Sequence, residues 1–173
     1  MPRRDREQTR RRLLDAAFVE FAAYGIAGAR MERIARIAGC STGLVYTYYG
    51  GKQELFDAVQ AEVVDAAFVA FDAADLPGYA ARCYDRQHDH PELARLAAWR
   101  RLERPGQVTR SAEIEAIRQA QARGLVSTRF SAEQVLVLVL AIASMWSNAP
   151  ADGSDHAARR RAVEDAVWRL VEP

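Results

Sequence analysis

The stretch from Gly39 to Leu55, GCSTGLVYTYYGGKQEL, sets three tyrosines and the only lysine of the chain among four glycines. Such groups are suited to meeting anionic oxygens. A tyrosine hydroxyl can donate to a phosphate while its ring packs on a sugar, and an ammonium meets the same phosphate as a point charge. Lys52 follows Gly50-Gly51 directly and opens a helix, where the positive dipole end disfavours a cation unless an anion lies beside it. A phosphate held jointly by Lys52 and the amides of the glycine turn accounts for this placement, and a solvated surface lysine is the other account. Catalytic patterns are missing: the sequence has no HExxH motif, phosphate loop, Ser/His/Asp series or usefully spaced carboxylate pair, so an enzyme is not expected. Cys83, His88 and His90 have zinc-compatible donors. However, His88 lies five residues from Cys83, on a different helical face, and no fourth ligand is evident, so neither metal nor cofactor is expected.

These residues have to be positioned by helices. Ala, Leu, Arg and Glu dominate, no alternating β-branched run persists, and the predicted fold class is all-α. Leu14, Ala17, Phe18 and Phe21 define a first helix stopped at Gly25, and Met31, Ile34, Ala35 and Ala38 define a short second helix ending at Gly39. Ser41 is the N-cap of a third helix that runs to about Tyr48. A fourth helix begins at Lys52, with Leu55, Phe56, Val59, Val63, Ala67 and Phe71 facing inward, and is expected to reach Ala74 before Leu76-Pro77-Gly78 ends it.

Helices two and three are joined by a tight Gly-Cys-Ser turn, which holds two helices at a steep angle: a helix-turn-helix, with Phe18 and Phe21 bracing it from helix one. The second helix of such a unit fits the DNA major groove, with its N-terminal residues at base edges. On that helix Tyr49 shares an inward face with Val45 and is expected to pack, Tyr46 is expected at the groove, and Tyr48 fits either role.

Charge is distributed consistently with this. Residues 1–60 carry ten Lys/Arg against seven Asp/Glu, and the first dozen alone carry six arginines, on a chain of net charge +1. A basic front on a near-neutral body suits a polyanion partner for that front, although a solvated arginine-rich helix end would read the same way. The basic start lacks the apolar core and cleavage site of a secretory signal. The Val135–Met145 apolar run is shorter than the about 20 residues a bilayer requires. Cys40 and Cys83 form no CxxC pattern, and free thiols in a reducing, cytoplasmic setting are expected.

Beyond Gly78 further helices are predicted: Gly78 to Asp89, one opened by Pro91, one closing at Gly124, one capped by a Ser131/Gln134 box, and a last one from about His156. The run VLVLVL at 135–140 is apolar on all sides and needs cover from several neighbours. With small residues at Ala143, Ser144, Ala162 and Ala166, and Trp168 as an anchor, that cover could include a second copy of the chain or an ordinary monomer core.

The segment from Thr9 to Leu55 resembles the DNA-binding domain of the TetR (tetracycline-repressor-like) family. YG at 24–25, IARIAG at 34–39, STGLVYTYY at 41–49 and KQEL at 52–55 stand in the order and spacing of the family pattern. The resemblance implies a helix-turn-helix DNA-binding domain over residues 1–52 and a helical ligand-binding and dimerisation domain over 53–173. It implies a DNA-facing set of Arg30, Ser41, Thr42, Gly43, Tyr46, Thr47, Tyr48 and Lys52, with Thr42 and Gly43 near bases and Tyr46 and Lys52 on phosphates. Two departures are visible. Ala29-Arg30 stands where many members carry a threonine pair, which loses a cap for helix two, and Gly50-Gly51 leaves helix four without a side-chain cap. By the same resemblance the C-terminal helices would form a ligand chamber, with Tyr84, His88, Trp99, Met145 and Trp146 as candidate contacts, and the last two helices would pair in a homodimer. The implied function is transcriptional regulation at a palindromic operator by a repressor that a small molecule releases. A sequence-indifferent DNA-coating protein and, less in keeping with the motifs, a helical-pocket enzyme are the alternatives.

Overall fold

The computed structural model describes residues 3–64, 69–103, 110–147 and 153–173, and nine α-helices but no strand occur among them. They are α1 (Arg3–Gly28), α2 (Met31–Ala38), α3 (Thr42–Tyr49), α4 (Lys52–Val59) with a π-helical turn at Gln60–Val64, α5 (Leu76–Asp89), α6 (Pro91–Glu103), α7 (Ser111–Ala122), α8 (Ala132–Ser144) and α9 (His156–Val171). They divide into two compact units. The first contains residues 1–68 and 92–106, and the second 69–91 and 107–173. None of the described helices is long and apolar enough to cross a membrane.

The first unit is built on the apolar faces of α1 to α4 with part of α6. Leu13, Leu14, Phe21, Ile34, Val45, Leu55, Phe56 and Leu96 are fully buried together, and Phe21 meets Phe56 edge-on with ring centroids 5.1 Å apart. Each such aromatic contributes about 1.5–3 kcal/mol through its lost water contact. In the second unit Tyr79, Ile117, Val135, Leu136, Val139, Val163 and Val167 form the core. The VLVLVL helix is covered on most sides within this unit, and Val137 points outward with 66% of its surface exposed. The Ser131/Gln134 capping box is formed in both directions, at 2.9 and 3.3 Å.

Helix four departs from its expected length. Val69 to Asp75 are not helical, so the helix does not reach Ala74; Ala67 and the side chain of Val63 lie outside the described residues. The cause is local turn chemistry. The Asp72 carboxylate accepts the Ala74 N–H at 2.8 Å, and Asp75 accepts the Gly78 N–H at 2.9 Å. Leu76-Pro77-Gly78 therefore opens α5, with Asp75 as its N-cap and Pro77 in its first turn, where its missing N–H costs nothing.

Gly25 also does more than stop a helix. Its backbone stands at φ 67°, ψ −176°, a conformation that breaks α1 before one last turn to Gly28. A Cβ there would lie 2.5 Å from the Glu103 carboxylate and 2.8 Å from the Trp99 ring. Both the backbone angle and the close approach require glycine. Gly25→Ala should therefore cost about 2–3 kcal/mol of stability, measured as a lower denaturation midpoint in urea.

Candidate nucleic-acid interface

Local signals form the turn between α2 and α3. Gly39 caps α2 in the left-handed conformation (φ 67°, ψ 40°), and the Cys40 N–H donates to the Ala35 carbonyl at 3.0 Å. Ser41 is extended at φ −80°, ψ 149°, and its hydroxyl accepts the Leu44 N–H at 3.3 Å. These caps fix where α3 begins and which side of it is buried. Val45 is fully buried, and Leu44, Tyr48 and Tyr49 are half-buried. Gly43, Tyr46, Thr47 and Gly50, at i, i+3, i+4 and i+7, form one exposed face.

The residues expected to face DNA are thus mostly gathered on one short rod. Tyr46 is exposed, Thr42 is half-exposed, and around Gly43 the space where a Cβ would sit is empty. The Thr47 hydroxyl donates to the Gly43 carbonyl at 2.9 Å. Tyr48 lies against the core with its ring 6.3 Å from that of Tyr49. The Tyr49 hydroxyl donates to the Arg10 carbonyl at 3.4 Å, and burial pushes its pKa upward, as befits a packing residue.

Lys52 and Arg30 are set by the segment that joins α1 to α2. The Lys52 ammonium donates to the carbonyls of Ala27 at 3.3 Å and Ala29 at 3.1 Å, which uses two of its three protons. Arg30 is the N-cap of α2 and offers no side-chain cap, in keeping with the departure read at Ala29-Arg30. Its N–H is met from elsewhere, by the carboxylate of Glu20 on α1 at 2.9 Å. Glu20 is 2% exposed and also accepts from Arg33 at 2.8 Å and 2.6 Å, and this hydrogen bonding raises the Arg33 pKa further. Arg33 in turn donates to the Gly28 carbonyl and stacks 4.3 Å above the Tyr24 ring. From α6, Glu103 accepts the N–H groups of Ile26 at 2.8 Å and Ala27 at 3.4 Å.

The arginines do not all present charge outward. Arg10 is paired with Glu7 and Glu62, Arg11 with Asp15, and Arg33 with Glu20. Arg6, Arg12, Arg30 and Arg36 are exposed and form no ion pair among the described residues. Arg36, on the exposed side of α2, was not singled out in the sequence, although the inward periodicity of Ile34, Ala35 and Ala38 leaves it facing solvent.

In the second unit, Tyr84, His88 and Trp146 lie together, joined by His156, which the sequence did not single out. The Tyr84 ring stacks on His156 at 5.1 Å and on His88 at 6.2 Å, and Trp146 meets it edge-on at 6.1 Å. Asp85 beside this group accepts from Arg160 at 2.8 Å, and its other carboxylate oxygen lies 3.2 Å from the His156 ring nitrogen. Met145 is exposed nearby in sequence, whereas Trp99 belongs to the first unit, against Gly25. Cys40 and Cys83 are free thiols, and burial raises the Cys83 pKa, which keeps that thiol protonated.

Comparison with known proteins adds to this geometry. Residues 13–59 match a family model described as bacterial regulatory proteins, tetR family, and residues 75–169 match one described as tetracyclin repressor-like, C-terminal domain. The HTH-type transcriptional repressor SCO4008 of Streptomyces coelicolor is 38% identical over 158 residues, 85% of this chain and 82% of that protein. The crystal structure of the transcriptional regulator SCO4942 from Streptomyces coelicolor superimposes with a TM-score of 0.84 at 38% identity, over 94% of this chain and 98% of that one. A TetR family transcription regulator from Marinobacter aquaeolei shares the fold, with a TM-score of 0.75 at 20% identity over 98% of each chain.

Removing the Glu20 carboxylate leaves the Arg30 N–H and the Arg33 guanidinium without their shared acceptor. Glu20→Ala should lower stability by about 2 kcal/mol, read from thermal or urea unfolding, and Glu20→Gln by less, since an amide oxygen can still accept.

Proposed function

This chain belongs to the tetR family of bacterial regulatory proteins and is a DNA-binding transcriptional regulator, and on that premise we propose that it is a repressor released by a small molecule. The observation that carries the DNA-binding role is the partition of α3, with Val45 buried while Gly43, Tyr46 and Thr47 share one exposed face. A helix so presented enters a major groove, its N-terminal residues at base edges and its flanks on phosphates.

In this reading Thr42, Gly43 and Thr47 approach bases, with Ser41 and Tyr48 bordering the contact. Tyr46 and the remaining proton of the Lys52 ammonium meet backbone phosphates, and the exposed Arg30 adds a cation beside them. Residues 1–52 act as the reading head, and 53–173 serve ligand binding and dimerisation. The aromatic group around Tyr84, His88 and Trp146, with Met145, is the proposed ligand contact. The proposed partner through α8 and α9 is a second copy of the chain, a role supported by Val137 and Trp168, which expose 66% and 57% of their surface on those helices. Two heads so joined suit a palindromic operator with half-sites about 34 Å apart, and a ligand that favours another spacing lowers affinity for the pair. The setting is the cytoplasm, where duplex DNA and free thiols coexist.

Selection of duplexes from a random pool, followed by retention measurements in rising salt, tests this reading. Tyr46→Phe and Lys52→Ala should weaken binding to every duplex, and Lys52→Ala should flatten the slope of log affinity against log salt by about one. An unchanged slope assigns the Lys52 ammonium wholly to the carbonyls of Ala27 and Ala29. For the dimer, Trp168→Asp should shift sedimentation from two chains toward one while leaving helix content unchanged.

A further inference from the structure

The helix proposed to enter the groove, α3, lacks the side chains that most often read bases. The sequence of α3, TGLVYTYY, contains no arginine, lysine, asparagine, glutamine or carboxylate. Guanine is commonly read by a bidentate arginine or lysine, adenine by a bidentate asparagine or glutamine, and the cytosine amino group by a carboxylate. None of these readers is available on α3.

Of the hydroxyls, those of Thr42 at the start of the helix and Tyr46 are bonded to nothing among the described residues, whereas those of Ser41 and Thr47 are engaged by the helix itself. Ser41 accepts the Leu44 N–H as the helix cap. Thr47 donates its one hydroxyl proton to the Gly43 carbonyl at 2.9 Å, along its own helix. With that bond kept, Thr47 has no proton for a base acceptor, and what it presents on the exposed face is its γ-methyl group beside an oxygen that can only accept. One turn away, Gly43 carries no side chain, and nothing lies within 4 Å of where its Cβ would be. Thr47 and Gly43 together make a small, shallow, uncharged patch that lets the helix come close. The major groove contains one apolar group that matches such a patch, the C5-methyl of thymine.

We propose that Thr47 determines operator specificity by packing its γ-methyl on a thymine C5-methyl, a role that rests on α3 being the element that enters the groove. The hydroxyl fixes the rotamer, through its bond to the Gly43 carbonyl.

Uracil lacks only the methyl of thymine, so it isolates the contact. In a duplex obtained by selection, each thymine of a half-site is replaced in turn by uracil, and affinity is measured for the full-length protein and for Thr47→Ser and Thr47→Val. One symmetric replacement should weaken wild-type binding about fourfold per half-site, equivalent to roughly 0.8 kcal/mol for one buried methyl-sized group. Thr47→Ser should bind the thymine and uracil duplexes equally, whereas Thr47→Val, which keeps the γ-methyl, should retain the discrimination. Indifference of the wild type to every uracil replacement, or undiminished discrimination in Thr47→Ser, overturns the assignment while leaving α3 as the reading helix. Failure of the wild type to select any duplex overturns both.

Discussion

Five residues, Ile26 to Arg30, form the last turn of α1 and its link to α2, and six of their backbone polar groups are met by side chains drawn from four helices. Glu103 of α6 takes the N–H groups of Ile26 and Ala27, and Lys52 of α4 donates to the carbonyls of Ala27 and Ala29. Arg33 of α2 donates to the carbonyl of Gly28, and Glu20 of α1 takes the N–H of Arg30. A short connector left to water would allow α2 several entry angles. Bonded at six of these groups, it narrows that choice, and the direction of α2 sets that of α3 through the tight turn at Gly39 to Ser41. The exposed face of α3 depends on this accounting more than on the propensities of its own eight residues, for a helix so short is marginal alone.

Within that clamp the charges serve two purposes. Glu20, almost fully buried, would be costly without partners, and Arg33 with a backbone N–H supplies them. Lys52 sits where a helix dipole opposes it, and two carbonyl oxygens offset that opposition before any nucleic acid arrives. A cation already held in place loses less side-chain freedom on meeting a phosphate than a solvated one. The α1–α2 connector thus gives the one lysine of the chain a structural task alongside the proposed phosphate contact.

What the sequence made legible was local. The Ser41 cap, the Gly39 stop, the Ser131/Gln134 box and the inward face of α2 are all short-range patterns, and the structure contains each of them. The all-helical class followed from composition in the same way. What escaped was of two kinds. Glu103 acts on residues 76 and 77 positions away, and Lys52 on carbonyls 23 and 25 positions away, distances over which one sequence carries no pairing signal. The end of helix four is misplaced for a nearer reason: Asp72 lies inside the expected helix and Asp75 just beyond it, and both side chains cap turns, which competes with helix continuation. His156 escaped because its partners Tyr84 and His88 lie on α5, far back in the chain.

The first compact unit is not a contiguous stretch of chain. Leu96, Trp99 and Glu103 belong to it, although they fall inside the span 75–169 that matches the C-terminal family model. A boundary drawn by family resemblance and a boundary drawn by packing therefore disagree over α6. Anyone grafting this head onto another regulator, or excising it as a minimal protein, would cut through its hydrophobic interior and remove the carboxylate that secures Ile26 and Ala27. The portable module is the head with residues 92–106 supplied, and a junction placed after α4 alone separates a core from part of its own wall.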